Sequence, residues 1–191
     1  MNSPVFGCYR NTIRVRSGGY FDIADPRPGQ FTFADVAGAL SKICRFGGQI
    51  DRFYSVAEHL WHCAEQAARD GLSGEAQRAV LLHDAAEAFI GDVVKPLKVM
   101  LPEYAAIEQK VEDCIALKFG VSFRLWQEEI RKVDRELLIA ERHGLFTADD
   151  VKWTGEDEVR RLKIDFYRWS PPVAEEFFTN AARNLGIDVK R

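Results

Sequence analysis

His59 in SVAEHLWHCA, the adjacent pair His83-Asp84 in AVLLHDAAEAF and Asp134 in RKVDRELL are residues whose types and spacing can do chemistry. Each falls where helical periodicity calls for core. Val56, His59, Cys63 and Ala67 form one row, Ala79, His83, Glu87 and Ile90 a second, and Ile130, Asp134 and Leu138 a third. Asp84 lies about 100° round its helix from His83, near enough for both to reach one point. A lone inward histidine is ordinarily a satisfied core residue, and a lone aspartate a cap or an arginine's partner. Two imidazoles and two carboxylates buried together are costly unless they share a strong partner. A divalent ion is the most economical one. The mixed nitrogen and oxygen set suits one transition metal ion such as Mn, Fe, Co, Ni or Zn, rather than Ca, and suits Mg less. It leaves coordination positions open for water or a substrate oxygen, as metal-assisted hydrolysis requires.

Carboxylates and cations surround this set in sequence. Glu87 is one turn beyond His83, and Asp92 follows in Ile90-Gly91-Asp92. Either can accept a proton from a metal-bound water or orient it. Upstream, Arg45-Phe46 precedes Gly47-Gly48 and Arg52 precedes the His59 helix, so guanidinium groups there can clamp a phosphate while Phe46 meets a sugar or base. Lys95 and Lys98 flank Pro96 and are further phosphate candidates. His62 is off the His59 row and reads as a surface or supporting residue. His143, beside Gly144, reads as a partner of the last helical carbonyls. Neither is expected to be a ligand.

The elements that must position these groups are mostly helical. Residues 12–23 alternate as two short strands around Ser17-Gly18-Gly19, an N-terminal β-hairpin. Thr32-x-x-Asp35 opens a helix expected through Cys44 and ended by Gly47-Gly48. Ser55-x-x-Glu58 matches a capping box and starts a helix to about Asp70. Further helices are expected over 74–89, from Pro102, over 123–143 with Gly144 as terminator, briefly near 148–152 after Thr147, over 156–168, and from Ser170 to Gly186. Pro96 keeps the stretch after Asp92 irregular or short. The expectation is a single all-α domain: the hairpin, a helical core over about 32–145, and a C-terminal helical extension over about 147–186.

The chain has 191 residues, enough to bury one sizeable core. Its formal charge of -3 offers no electrostatic footprint for long nucleic acid. No apolar run approaches a membrane span, and MNSPVFGCYR does not read as a signal peptide. Cys8, Cys44, Cys63 and Cys114 are scattered without metal-finger spacing and read as reduced thiols, which suits a cytoplasmic location.

The ordered pattern H…HD…D, as His59, His83-Asp84 and Asp134, resembles the HD-domain metal-dependent phosphohydrolases. With its flanks S-V-A-E-H, L-L-H-D-A-A-E, G-D-x-x-x-P-x-K and V-D-R-E-L-L it is similar to the branch containing bacterial 5'-deoxynucleotidases. The likeness runs from about Arg45 to Glu141, half the chain; the hairpin and the tail lie outside it. It implies an all-α HD-type core with the ion on His59, His83, Asp84 and Asp134. It also implies that Glu87 and Asp92 assist the attacking water, and that Arg45 and Phe46 contact phosphate and sugar. A homodimer favouring Co or Mn is implied as well. The expected activity is release of phosphate from small nucleotides, foremost 5'-deoxynucleoside monophosphates. The alternatives are a dNTP triphosphohydrolase releasing triphosphate and a non-catalytic nucleotide- or metal-sensing module.

Overall fold

The computed structural model describes residues 11–148 and 150–190. Cys8 lies outside them. The first element is the expected hairpin. Strands β1 (Thr12–Arg14) and β2 (Tyr20–Asp22) pair antiparallel, with Ile13 opposite Phe21. Alternation sends Phe21 inward, where it is fully buried.

The remainder is helical. Helix α1 (Phe33–Leu40) starts in a reciprocal box between Thr32 and Asp35. The others are α2 (Val56–Arg69), α3 (Gly74–Leu82), α4 (Glu87–Ile90), α5 (Lys95–Met100), α6 (Pro102–Phe119), α7 (Gln127–Leu145) and α8 (Pro171–Asn184). Helix α2 is the hub and packs on α3, α7 and α8. Leu60, Leu81, Leu82, Ile115 and Phe178 are among the fully buried residues of the core. Phe21 of the hairpin stacks on Phe89 of α4 with ring centroids 3.9 Å apart, fastening the strands to the segment just after His83-Asp84. Among the described residues no helix is long and apolar enough to cross a membrane.

Several expected boundaries are corrected. Helix α1 ends at Leu40 because the chain then pairs as an isolated bridge, Cys44 opposite Ser55, with Arg45 N–H on Tyr54 O and Val56 N–H on Ile43 O. The helix expected over 74–89 breaks at residues 83–86, where Ala85 and Glu87 donate to carbonyls three residues back. Helix α7 begins at Gln127, after a turn, rather than at 123. It runs through Gly144 to Leu145; an added Cβ at Gly144 would lie 2.5 Å from Phe166 Cε2, so this glycine serves close approach rather than termination. Among the described residues, the helices expected near 148–152 and 156–168 do not form, apart from a short 3₁₀ turn, Glu156–Glu158.

Tertiary contacts hold the segment after that turn. The Glu58 carboxylate accepts the N–H groups of Arg168 and Trp169, both at 2.8 Å, and Arg168 sits at a positive φ of 54°. Only half of the expected capping box at Ser55 therefore forms. Ser55 accepts the Glu58 N–H at 3.1 Å, while the glutamate side chain reaches across to this distant backbone.

Candidate metal centre

Helix α2 projects His59, the tight turn between α3 and α4 projects His83 and Asp84, and α7 projects Asp134. One ligand atom from each lies within 4.8 Å of every other. His59 Nε2 is 3.4 Å from Asp134 Oδ1 and 3.8 Å from Asp84 Oδ2; His83 Nε2 is 3.4 Å from Asp84 Oδ2 and 3.8 Å from Asp134 Oδ1. Donors bound about 2.1 Å from one centre are roughly 3–4 Å apart, so this set fits one transition ion.

The imidazoles are also oriented for that task. His83 Nδ1 donates to Val80 O at 2.7 Å, leaving Nε2 buried with no hydrogen-bond partner. His59, fully buried, donates from Nδ1 to Glu141 at 2.5 Å, which also turns its Nε2 to the centre. A second hydrogen bond that fixes the tautomer is the usual support for a ligating histidine.

Burial by itself would discharge these rings. For His83, Asp84 and Asp134 outweigh burial and push its pKa up to about 10. Burial and Arg45 oppose protonation of His59, yet Glu141 and Asp134 lift it well above the ordinary range. Asp134 would be raised by burial, but the imidazoles of His59 and His83 beside it hold it well below a normal carboxyl. The cluster thus carries an excess of negative charge that protons or a metal cation can neutralise.

Glu141 was missed from the sequence. Its buried carboxylate accepts from His59, from Tyr54 Oη at 2.9 Å and from Arg45 Nη2 at 3.0 Å. Burial would raise its pKa, and Arg45 and His59 bring it below the usual value. The signal was present: Glu141 follows Asp134 by seven residues, two helical turns along one face.

Arg45 is buried, with Nη1 3.6 Å from Asp84 and Nε without a partner, so it borders the centre. Glu87 is buried too. Its Oε1 is 3.8 Å from Lys98 Nζ, and its Oε2 makes no hydrogen bond. Burial, Asp84 and Asp92 raise its pKa well above normal against the pull of Arg45 and Lys98. Asp92, half-buried, is raised by burial and Asp84.

Lys98 is held by Glu108 at 2.7 Å. Phe46 lies 5.2 Å under the Arg45 guanidinium but packs edge-on against Phe146 at 4.9 Å. Two expected phosphate contacts are not brought in. Lys95 is exposed, and Arg52 lines a separate cavity of about 250 Å³ with Arg168 and Phe146. His62 is corrected from a surface position: it is buried and stacks parallel to Tyr167. His143 pairs with Glu156 at 2.8 Å rather than with helix carbonyls.

The centre opens on a groove of about 680 Å³ between α6 and α7, with His83 and Asp84 in its wall. Cavities of this size hold small organic ligands.

No family model matches the chain. It is 34% identical over 113 residues to an uncharacterized protein of Rhodobacter capsulatus, covering 56% of this chain and 58% of that one. It is 33% identical over 141 residues to the uncharacterized protein YfdR of Escherichia coli K12, covering 74% of this chain and 76% of YfdR. At that identity and coverage the chain belongs to the YfdR family.

Proposed function

We propose that the protein is an HD-type, metal-dependent phosphohydrolase acting on small nucleotides, with 5'-deoxynucleoside monophosphates as the first substrates to test. The observation that carries the reading is the convergence of His59, His83, Asp84 and Asp134 within 4.8 Å, beside a buried glutamate whose Oε2 is unpaired. These four residues would hold one divalent transition ion. When bound, it supplies Lewis acidity toward a phosphoryl oxygen and lowers the pKa of water.

The chain's own groups do the rest. Glu87, made more basic by burial beside Asp84, accepts a proton at Oε2 from the attacking water. Asp92 shares in holding that water. Arg45 offers its unpartnered Nε to a phosphate oxygen while Glu141 fixes the guanidinium in place. The unpaired Glu87 oxygen also speaks for an enzyme over a binding-only module, which has no need of a poised proton acceptor.

Incubation with dAMP, dATP and a cyclic nucleotide, after metal stripping and after re-addition of Mn, Co, Zn or Mg, tests this. Metal-restored release of phosphate from dAMP supports the reading. Triphosphate from dATP would transfer it to a triphosphohydrolase. Metal bound without turnover of any nucleotide would overturn it in favour of a sensor.

A further inference from the structure

The groove that opens on the centre has walls of opposite charge. Helix α6 contributes Glu112 and Asp113 to its lining, while Arg124, just before α7, and Arg131, on α7, line it from the other helix; Phe123 adds an apolar surface. Both arginines are exposed to the groove's solvent and differ from the arginines that buried acids hold. Arg45, Arg142 and Arg160 are each bound to buried carboxylates, at 3.0 Å for Arg45 on Glu141 and for Arg142 on Glu156. Among the described residues Arg124 and Arg131 make no ion pair or side-chain hydrogen bond. Arg131 precedes Asp134 by three residues, about 4.5 Å along the helix axis, and Arg124 lines the same groove.

We propose that Arg131 and Arg124 form a second anion subsite, so that the preferred substrate is a nucleotide carrying another phosphate besides the one at the metal centre. The inference rests on the phosphohydrolase reading above. A phosphoester held at His83 and Asp84 directs the rest of the molecule into the groove, because that is where these two residues open. A monophosphate would leave both guanidinium groups facing neutral nucleoside. A second phosphate satisfies them bidentately, which is the geometry an arginine fork fits. The acidic wall is matched to the rest of a nucleotide: Glu112 and Asp113 accept from ribose hydroxyls or an exocyclic amine, and Phe123 meets the base. The second phosphate can be joined to the first, as in a nucleoside diphosphate, or sit on the 3' oxygen.

Calorimetric titration of Mn-loaded Glu87→Gln protein separates these cases, since bound nucleotide then persists. The probes are dAMP, dADP and deoxyadenosine 3',5'-bisphosphate. One of the doubly phosphorylated probes is expected to bind about tenfold or more tightly than dAMP, and which one identifies the linkage. The margin is expected to collapse in the Arg124→Ala/Arg131→Ala protein and to return in part with Arg131→Lys. Circular dichroism of the variants checks that the fold is retained. Equal affinity for all three probes, absence of binding by any of them, or a margin that survives both alanines overturns the proposal. Phosphate release from each of the three probes by the unmodified protein is read separately. Turnover without the margin strikes only this inference, and the margin without turnover strikes only the phosphohydrolase reading.

Discussion

His59 Nδ1 donates to Glu141 Oε1 at 2.5 Å, across the interface between α2 and α7. The same carboxylate holds Arg45 and Tyr54, so one buried acid aligns a candidate metal ligand, a candidate phosphate contact and the segment leading into α2. Glu141→Ala is expected to lower metal affinity by about 10- to 100-fold, the usual cost of losing a ligand's support. It should also destabilise the fold by about 3–5 kcal/mol, because Arg45 is left buried with its nearest partner removed. Metal titration and denaturant unfolding measure the two effects. An unchanged metal affinity would remove Glu141 from the centre.

Glu87→Gln keeps the side chain's volume and removes its proton-accepting charge. Metal binding is expected to persist, because the candidate ligand atoms all belong to other residues. Turnover should fall by about 100-fold or more, the scale of general-base catalysis. Metal content by elemental analysis, set beside phosphate release, tests the separation.

The protonation of the histidines sets the pH dependence. In metal-free protein the folded pKa of His83 is about 10, above the ordinary 6.5. The stability it contributes is therefore complete below about 6.5 and is lost as pH rises through about 10. A divalent cation competes for the same nitrogens, so metal binding should release protons and strengthen across that window. Unfolding in EDTA and with Mn, followed from neutral to alkaline pH, should show metal-free stability falling while protection by the metal grows. A metal affinity independent of pH would contradict this.

The Glu58 clamp on the backbone of Arg168 and Trp169 makes a stability prediction far from the centre. Glu58→Gln leaves one acceptor oxygen for two part-buried backbone N–H groups, one of them at a residue with φ 54°. A loss of about 1.5–3 kcal/mol is expected, the scale of a hydrogen bond to a charged group. Hydrogen exchange at amides 168 and 169 should accelerate together with it.

Gly144→Ala sets two effects against each other. Alanine gains about 1 kcal/mol of helix propensity over glycine. Its Cβ, however, would stand 2.5 and 2.6 Å from the Phe166 ring, which is packed edge-on against Tyr54 with centroids 5.5 Å apart and cannot swing aside freely. Overpacking of about 1–3 kcal/mol should win, giving a lower melting temperature.

Much of this was legible beforehand because it is local. Hydrophobic period, caps and breakers locate the hairpin, α2, α6 and α8, and they turn His59 inward. Where long-range partners compete, local reading failed. Residues 156–168 have helical composition, but their hydrogen bonds go elsewhere. Arg160 is drawn to Asp70 and Glu136, and the Glu58 carboxylate takes two backbone amides just beyond. The end of α1 was misplaced for the same reason, since the pairing of Cys44 with Ser55 is invisible until both segments are in space.

By itself the sequence determined that helical segments carry His59 and Asp134 on rows of core spacing and that His83-Asp84 close another such row, because side-chain direction in a helix follows from residue spacing alone. Only the tertiary structure decided that those donors meet within 4.8 Å, that Glu141 supports them, and that Arg131 and Arg124 line the way in while Arg52 faces another cavity. Those relations depend on how α2, α6 and α7 pack and on a tight turn at His83-Asp84. Packing is settled by the sum of many contacts between distant residues, which no window of local spacing contains.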